Sequence, residues 1–109
     1  MPEPVVITRW KHDEAPSDAT LESRLRRDGL TPTWWSNNPS DYYAPHEHTY
    51  HKVLYCAEGS ITFILTPTSE RLELHPGDRM DLPAGWPHAA IVGPQGVRCV
   101  EAAKSEPPA

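Results

Sequence analysis

The chain has 109 residues, a length that accommodates one domain and excludes two. Its 10 Lys and Arg against 15 Asp and Glu give a net charge of −5, which disfavours nucleic acid and anionic membranes as partners. No apolar run approaches the roughly 20 residues that cross a bilayer. The first residues also lack the pattern of a secretory signal, so we expect a cytoplasmic protein.

Proline and glycine dominate the local pattern. Thirteen Pro and six Gly exclude a helical bundle and indicate short strands joined by turns. We expect residues 1–16 to form an extended arm, which adds a strand to a sheet edge or to another subunit. The folded domain is expected over 17–103, and a flexible tail over 104–109.

One short amphipathic helix is predicted over residues 17–29. Ser17 can cap its start, Leu21 and Leu25 share one face, and Gly29 ends it. The apolar face is expected to pack on the sheet.

Strands are predicted throughout the rest of the chain. Two of them, His46–Cys56 and 60–66, are predicted to form a hairpin around a turn at Glu58 and Gly59. The last two, 87–92 and 97–102, are joined by a predicted turn at 93–96. Such a spacing is typical of a sandwich or small barrel.

Three of the six histidines, His46, His48 and His51, lie within six residues, and His88 follows a Pro/Gly corner. In a strand, alternate side chains share a face, which places His46 and His48 on one side with Lys52 and leaves His51 on the other. Two such imidazoles and a third from another strand can bind one metal ion. The alternative for the first two is a pair of surface imidazoles.

Two spaced motifs carry a family resemblance. The segment Pro-His-Glu-His-Thr-Tyr-His-Lys at 45–52, followed by Gly59, resembles the first cupin motif, His-x-His with a later acidic ligand and a glycine. Gly77, the Pro-Ala-Gly at 83–85 and His88 resemble the second motif, although Val92 stands where an asparagine is expected. The sequence is therefore similar to small single-domain cupins of the cupin-2 type.

The resemblance implies an all-β jelly-roll barrel, or double-stranded β-helix, with one short N-terminal helix, usually in a homodimer. It also implies that His46, His48 and His88 hold one divalent transition metal, which would be zinc, iron, nickel, manganese or copper.

The position of the acidic ligand in the first motif is taken by Lys52. A protonated lysine cannot ligate a metal and repels a dication. Lys52 therefore either keeps its proton and holds an anionic ligand near the metal, or loses it and acts as a general base. The alternative is a metal-free pocket in which Lys52 pairs with a buried acid such as Asp41 or Asp81.

Aromatic and apolar residues near the motifs are candidates for the pocket wall. Strand alternation means that Trp34 and Trp35 cannot both face inward. The predicted wall residues are Tyr50, Phe63, Leu65 and Trp86.

These features predict an open three-histidine metal site that binds or transforms a small anionic organic molecule. The reaction class stays open between oxygenase and isomerase or lyase, because the barrel hosts many chemistries. A second interpretation is a non-catalytic, metal-independent small-molecule sensor, and a third is a structural or storage barrel.

Overall fold

The computed structural model describes residues 3–104, which form seven strands and one helix. All the strand pairs are antiparallel, and two long strands lie side by side at the centre of the sheet, β4 (His51–Leu65) and β7 (His88–Lys104). The fold is the predicted all-β jelly-roll. Within the described range no helix has the length and apolar character needed to cross a membrane. The elements are β1 Val6–Thr8, α1 Asp18–Arg27, β2 Thr33–Asn37, β3 Tyr42–His46, β4 His51–Leu65, β5 Glu70–Leu74, β6 Arg79–Leu82 and β7 His88–Lys104.

The N-terminal arm adds a strand to the sheet of its own chain, because β1 pairs with β6. Beyond β1, Arg9 and the backbone N–H of Trp10 both donate to the buried carboxylate of Asp78, at 2.9 Å each. The Trp10 ring covers Gly77, where a Cβ atom would lie 2.3 Å from the ring.

Lys104, the first residue of the predicted tail, is the last residue of β7. Residues 1–2 of the predicted arm and 105–109 of the predicted tail lie outside the described residues.

Helix α1 begins after Ser17, whose hydroxyl accepts a hydrogen bond from the backbone N–H of Thr20. Leu21 and Leu25 are wholly buried. They pack on the outer face of the sheet in a cluster with Val53, Tyr55, Ala57, Val100 and Ala102. The helix therefore packs on the sheet through its apolar face, as the amphipathic pattern predicted.

The two predicted hairpin turns are wrong, because β4 runs through Glu58 and Gly59 and β7 runs through 93–96 without reversing. The two strands bend together instead, with register shifts on both sides of Gly59. Gly59 has φ +73°, and a Cβ there would lie 2.0 Å from the carbonyl oxygen of Gly96. Glycine permits this close approach of two bends.

Because of the register shifts, the side chains of β4 that point into the barrel are at even-numbered positions before the bend and at odd-numbered positions after it. Before the bend Leu54 and Cys56 point into the barrel, and after it Ile61, Phe63 and Leu65 do so. Lys52 shares the alternation of the first group, so its side chain enters the barrel.

Candidate metal centre and adjoining cavity

The three predicted ligands come from three neighbouring segments. His46 ends β3 and His88 begins β7, and the two residues are direct cross-strand partners. His48 lies in the connection from β3 to β4, so the predicted continuous strand from His46 to Cys56 is wrong. The carbonyl of His48 accepts a hydrogen bond from the N–H of Gly85 at 2.9 Å, which ties this connection to the second motif.

The histidines nevertheless converge. The potential ligand atoms of His46, His48 and His88 lie within 4.8 Å of one another. Their ring centroids are 4.9 Å apart for the first two, 4.4 Å for His46 and His88, and 5.2 Å for His48 and His88. Metal–nitrogen bonds are about 2.1 Å long, so small side-chain rotations allow the three to share one ion.

Hydrogen bonds orient two of the rings. The Nδ1 atoms of His46 and His88 lie 2.9 Å from the carbonyl of Ala44 and 2.8 Å from that of Trp86. A carbonyl only accepts, so each Nδ1 carries the proton and each Nε2 keeps a lone pair for a metal. The Nε2 of His48 is buried and has no hydrogen-bond partner among the described residues. This orphaned atom and the neutral donor set fit a divalent transition metal.

Burial favours the neutral form of two of these imidazoles, those of His48 and His88. Burial, together with the nearby Lys52 cation, lowers the pKa of His48 from 6.5 to about 4. Burial also lowers the pKa of His88. Neutral imidazole is the form that ligates metals, so protons compete little with a metal for these two rings above pH 6.5.

The buried Lys52 has an acidic partner that the sequence interpretation did not identify. Its Nζ lies 3.5 Å from Oε1 of Glu101, and the indole N–H of Trp35 donates to the same oxygen at 2.6 Å. The two acids named from the sequence have other partners. Asp41 accepts from the N–H of Asn38, and Asp81 is held by Arg79 and His51.

Glu101 could have been found from strand alternation. It lies two residues after Cys99, which points into the barrel core, so the same face of β7 carries the carboxylate inward. Strand alternation does not show, however, which side chain the Glu101 carboxylate contacts.

A cavity of about 290 Å³ joins two of the histidines, His46 and His48, to this ion pair. Its wall is mainly apolar and aromatic, with the charged pair on one side. The lining residues are Trp35, Tyr43, His46, His48, Lys52, Ile61, Phe63, Ala90 and Glu101.

The four residues predicted to line the pocket lie in different parts of the structure. Phe63 lines the cavity, and Tyr50 lies against His48 with ring centroids 4.9 Å apart. Leu65 is buried in the barrel core, and the indole of Trp86 donates to the carbonyl of Glu3 at 2.5 Å. Of the four predicted wall residues, Phe63 lines the cavity, whereas Tyr50, Leu65 and Trp86 do not.

Two further sequence expectations concern which face of a strand a side chain occupies. His51 faces away from it, as strand alternation predicted, and lies 3.4 Å from Asp81. Trp34 packs on the outer cluster while Trp35 lines the cavity, so only one of the pair faces inward.

Solved structures of other proteins are similar to this chain. The polyketide cyclase RemF from Streptomyces resistomycificus is 30% identical, with a TM-score of 0.61, over 72% of this chain and 57% of the cyclase. An RmlC-like cupin from Shewanella frigidimarina is 19% identical, with a TM-score of 0.60, over 71% of this chain and 67% of that one. The chain belongs to the cupin superfamily.

A third similar structure, from a study of the DMSP lyases RdDddP and RnDddQII, is 25% identical to this cupin. It has a TM-score of 0.58, and the match covers 70% of this chain and 37% of that one. No family model and no curated protein matches the sequence.

Proposed function

We propose that this cupin is a metal-dependent enzyme that binds a small, anionic organic molecule through an oxygen atom. The observation that carries the proposal is the convergence of three imidazoles, one with an unpartnered buried nitrogen, beside a cavity that also contains a lysine. His46, His48 and His88 would hold one divalent transition metal. Such an ion, when bound, supplies Lewis-acid polarisation of a ligand oxygen.

The cavity residues define the ligand. A volume of about 290 Å³ is at the small end of ligand pockets, and the walls of Trp35, Tyr43 and Phe63 suit an apolar or planar carbon skeleton. Lys52 is the cation available to a carboxylate or enolate oxygen. Because Glu101 already balances part of that charge, the ligand's anionic group must share Lys52 with Glu101.

Some of the solved structures similar to this chain support an enzyme of the cyclase or lyase kind. They include a polyketide cyclase and a structure reported with DMSP lyases, and the chain spans 57% and 37% of the lengths of the two. The homodimer, the cytoplasmic location and the absence of nucleic-acid and membrane partners stay predictions from the sequence.

Metal analysis tests the proposal. Untagged protein prepared without nickel resin should contain close to one equivalent of a divalent transition metal by mass spectrometry. His48→Ala should lose it, whereas His75→Ala should retain it, since His75 lies on the surface beside Glu73. Equal metal content in both variants would contradict the assignment of the ligands.

The sensor interpretation makes a different prediction. If the chelated protein binds a small organic anion such as pyruvate as tightly as the metal-loaded protein, a metal-independent binding barrel replaces the proposed enzyme. We expect chelation to weaken pyruvate binding at least tenfold, measured by titration calorimetry.

A further inference from the structure

Unlike the exposed acidic residues of this protein, Glu101 has its carboxylate inside the barrel. It is one-fifth exposed and lines the cavity, and one oxygen, Oε1, accepts a hydrogen bond from the Trp35 indole and lies 3.5 Å from the Lys52 ammonium. The other oxygen, Oε2, accepts no hydrogen bond from the described residues. A carboxylate held at one oxygen and free at the other can accept a proton from a bound ligand.

We propose that Glu101 is a catalytic residue that takes a proton from carbon beside a carbonyl group, and that the substrates are small carbonyl compounds bearing a carboxylate. This inference rests on the proposed function, since it requires the ligand to occupy the cavity next to the histidines. Trp35 is then a positioning residue, because its indole N–H fixes the orientation of the carboxylate.

The proposed step is balanced without a co-reactant. Oε2 of Glu101 takes the proton from the carbon, the electron pair of the broken C–H bond forms a C=C bond, and the carbonyl π pair moves onto oxygen. The product is an enolate, whose charge the ammonium of Lys52 stabilises. Return of a proton from the Glu101 carboxyl group regenerates the carbonyl compound, and in D2O it returns deuterium.

Proton nuclear magnetic resonance in D2O tests this step with two keto acids, pyruvate and levulinate, as probes. The zinc-loaded wild-type protein should exchange protons next to the carbonyl of at least one probe. Glu101→Gln should lower the exchange rate at least 100-fold, in line with the usual size of general-base catalysis, about 10²–10⁴.

The same variant should bind the exchanging probe more tightly, by about tenfold in calorimetric titration, because removal of the negative charge leaves Lys52 free for the ligand. Slower exchange with tighter binding separates a catalytic role from a structural one, since a damaged pocket would lose both. Glu22→Gln is the matched control. Glu22 also accepts an indole N–H, from Trp34 at 2.5 Å, but it lies on helix α1 outside the cavity.

A second variant tests the role of Glu101 in case Glu101→Gln folds poorly. Trp35→Phe keeps the carboxylate and removes its indole donor, so it should slow exchange about tenfold, which is more than it weakens the affinity for the probe. Unaltered exchange in both folded variants, or the lack of any exchange by the wild-type protein, would overturn the role of Glu101. Intact zinc and keto-acid binding in that case would leave the proposed function standing, whereas loss of zinc binding by the wild-type protein would refute the latter.

Discussion

Replacing Lys52 by methionine in the metal-free protein tests the ion pair inside the barrel. The side chains of Lys52 and Glu101 are 11% and 21% exposed, and their charged atoms are 3.5 Å apart. Removing one partner of a buried pair costs about 3–5 kcal/mol because the other charge is stranded. Some solvent contact and the Trp35 indole remain here, so we expect a loss of about 2–3 kcal/mol, which lowers the melting temperature by about 10 °C in a domain of this size.

Adding Glu101→Gln to the methionine variant should restore about 1–2 kcal/mol, because the stranded charge is then absent. Urea denaturation followed by circular dichroism measures all four proteins of this cycle. Lys11→Met, at an exposed lysine, is the control and should cost less than about 0.5 kcal/mol. Two results would contradict a stranded Glu101 charge: Lys52→Met costing no more than this control, or a double variant whose loss equals the sum of the two single losses.

Three further outcomes are expected. In the metal-free protein, stability should fall by roughly 2–3 kcal/mol between pH 6.5 and 4, because the unfolded chain protonates His48 at pH 6.5 whereas the folded protein resists protonation down to about pH 4; a flat urea-denaturation profile would contradict this. Gly59→Ala should cost more than about 3 kcal/mol by clashing with Gly96, whereas Gly29→Ala, also at positive φ but with nothing within 4 Å, should cost about 1 kcal/mol. Zinc should raise the melting temperature of the wild-type protein but not of His88→Gln, and equal shifts would argue for an ion bound elsewhere.

The sequence predicted the features that depend on local pattern and on motif spacing. Alternation in the strands placed Lys52 inside the barrel, and the spacing of the two motifs brought His46, His48 and His88 together. His46 and His48 do lie close together, as predicted, but they do not share one face of a strand. A connection after β3 positions His48, held by the N–H of Gly85.

The features that the sequence did not predict depend on contacts between distant segments. A glycine with positive φ suits a hairpin turn and a bulged bend equally, and only the pairing of β4 with β7 shows that Gly59 lies in a bend. The pairing of Lys52 with Glu101 likewise arises because β4 and β7 are neighbours. Local alternation indicates that both residues face inward, but it does not show that they meet.

The central claim is that one divalent ion is shared by three imidazoles in this cavity. A crystal structure of the untagged, zinc-loaded protein, with anomalous scattering recorded at the zinc edge, tests it most directly. We predict one anomalous peak about 2.0–2.1 Å from a nitrogen of each of His46, His48 and His88. A peak bound by fewer than these three rings, or located away from the cavity, would contradict the claim.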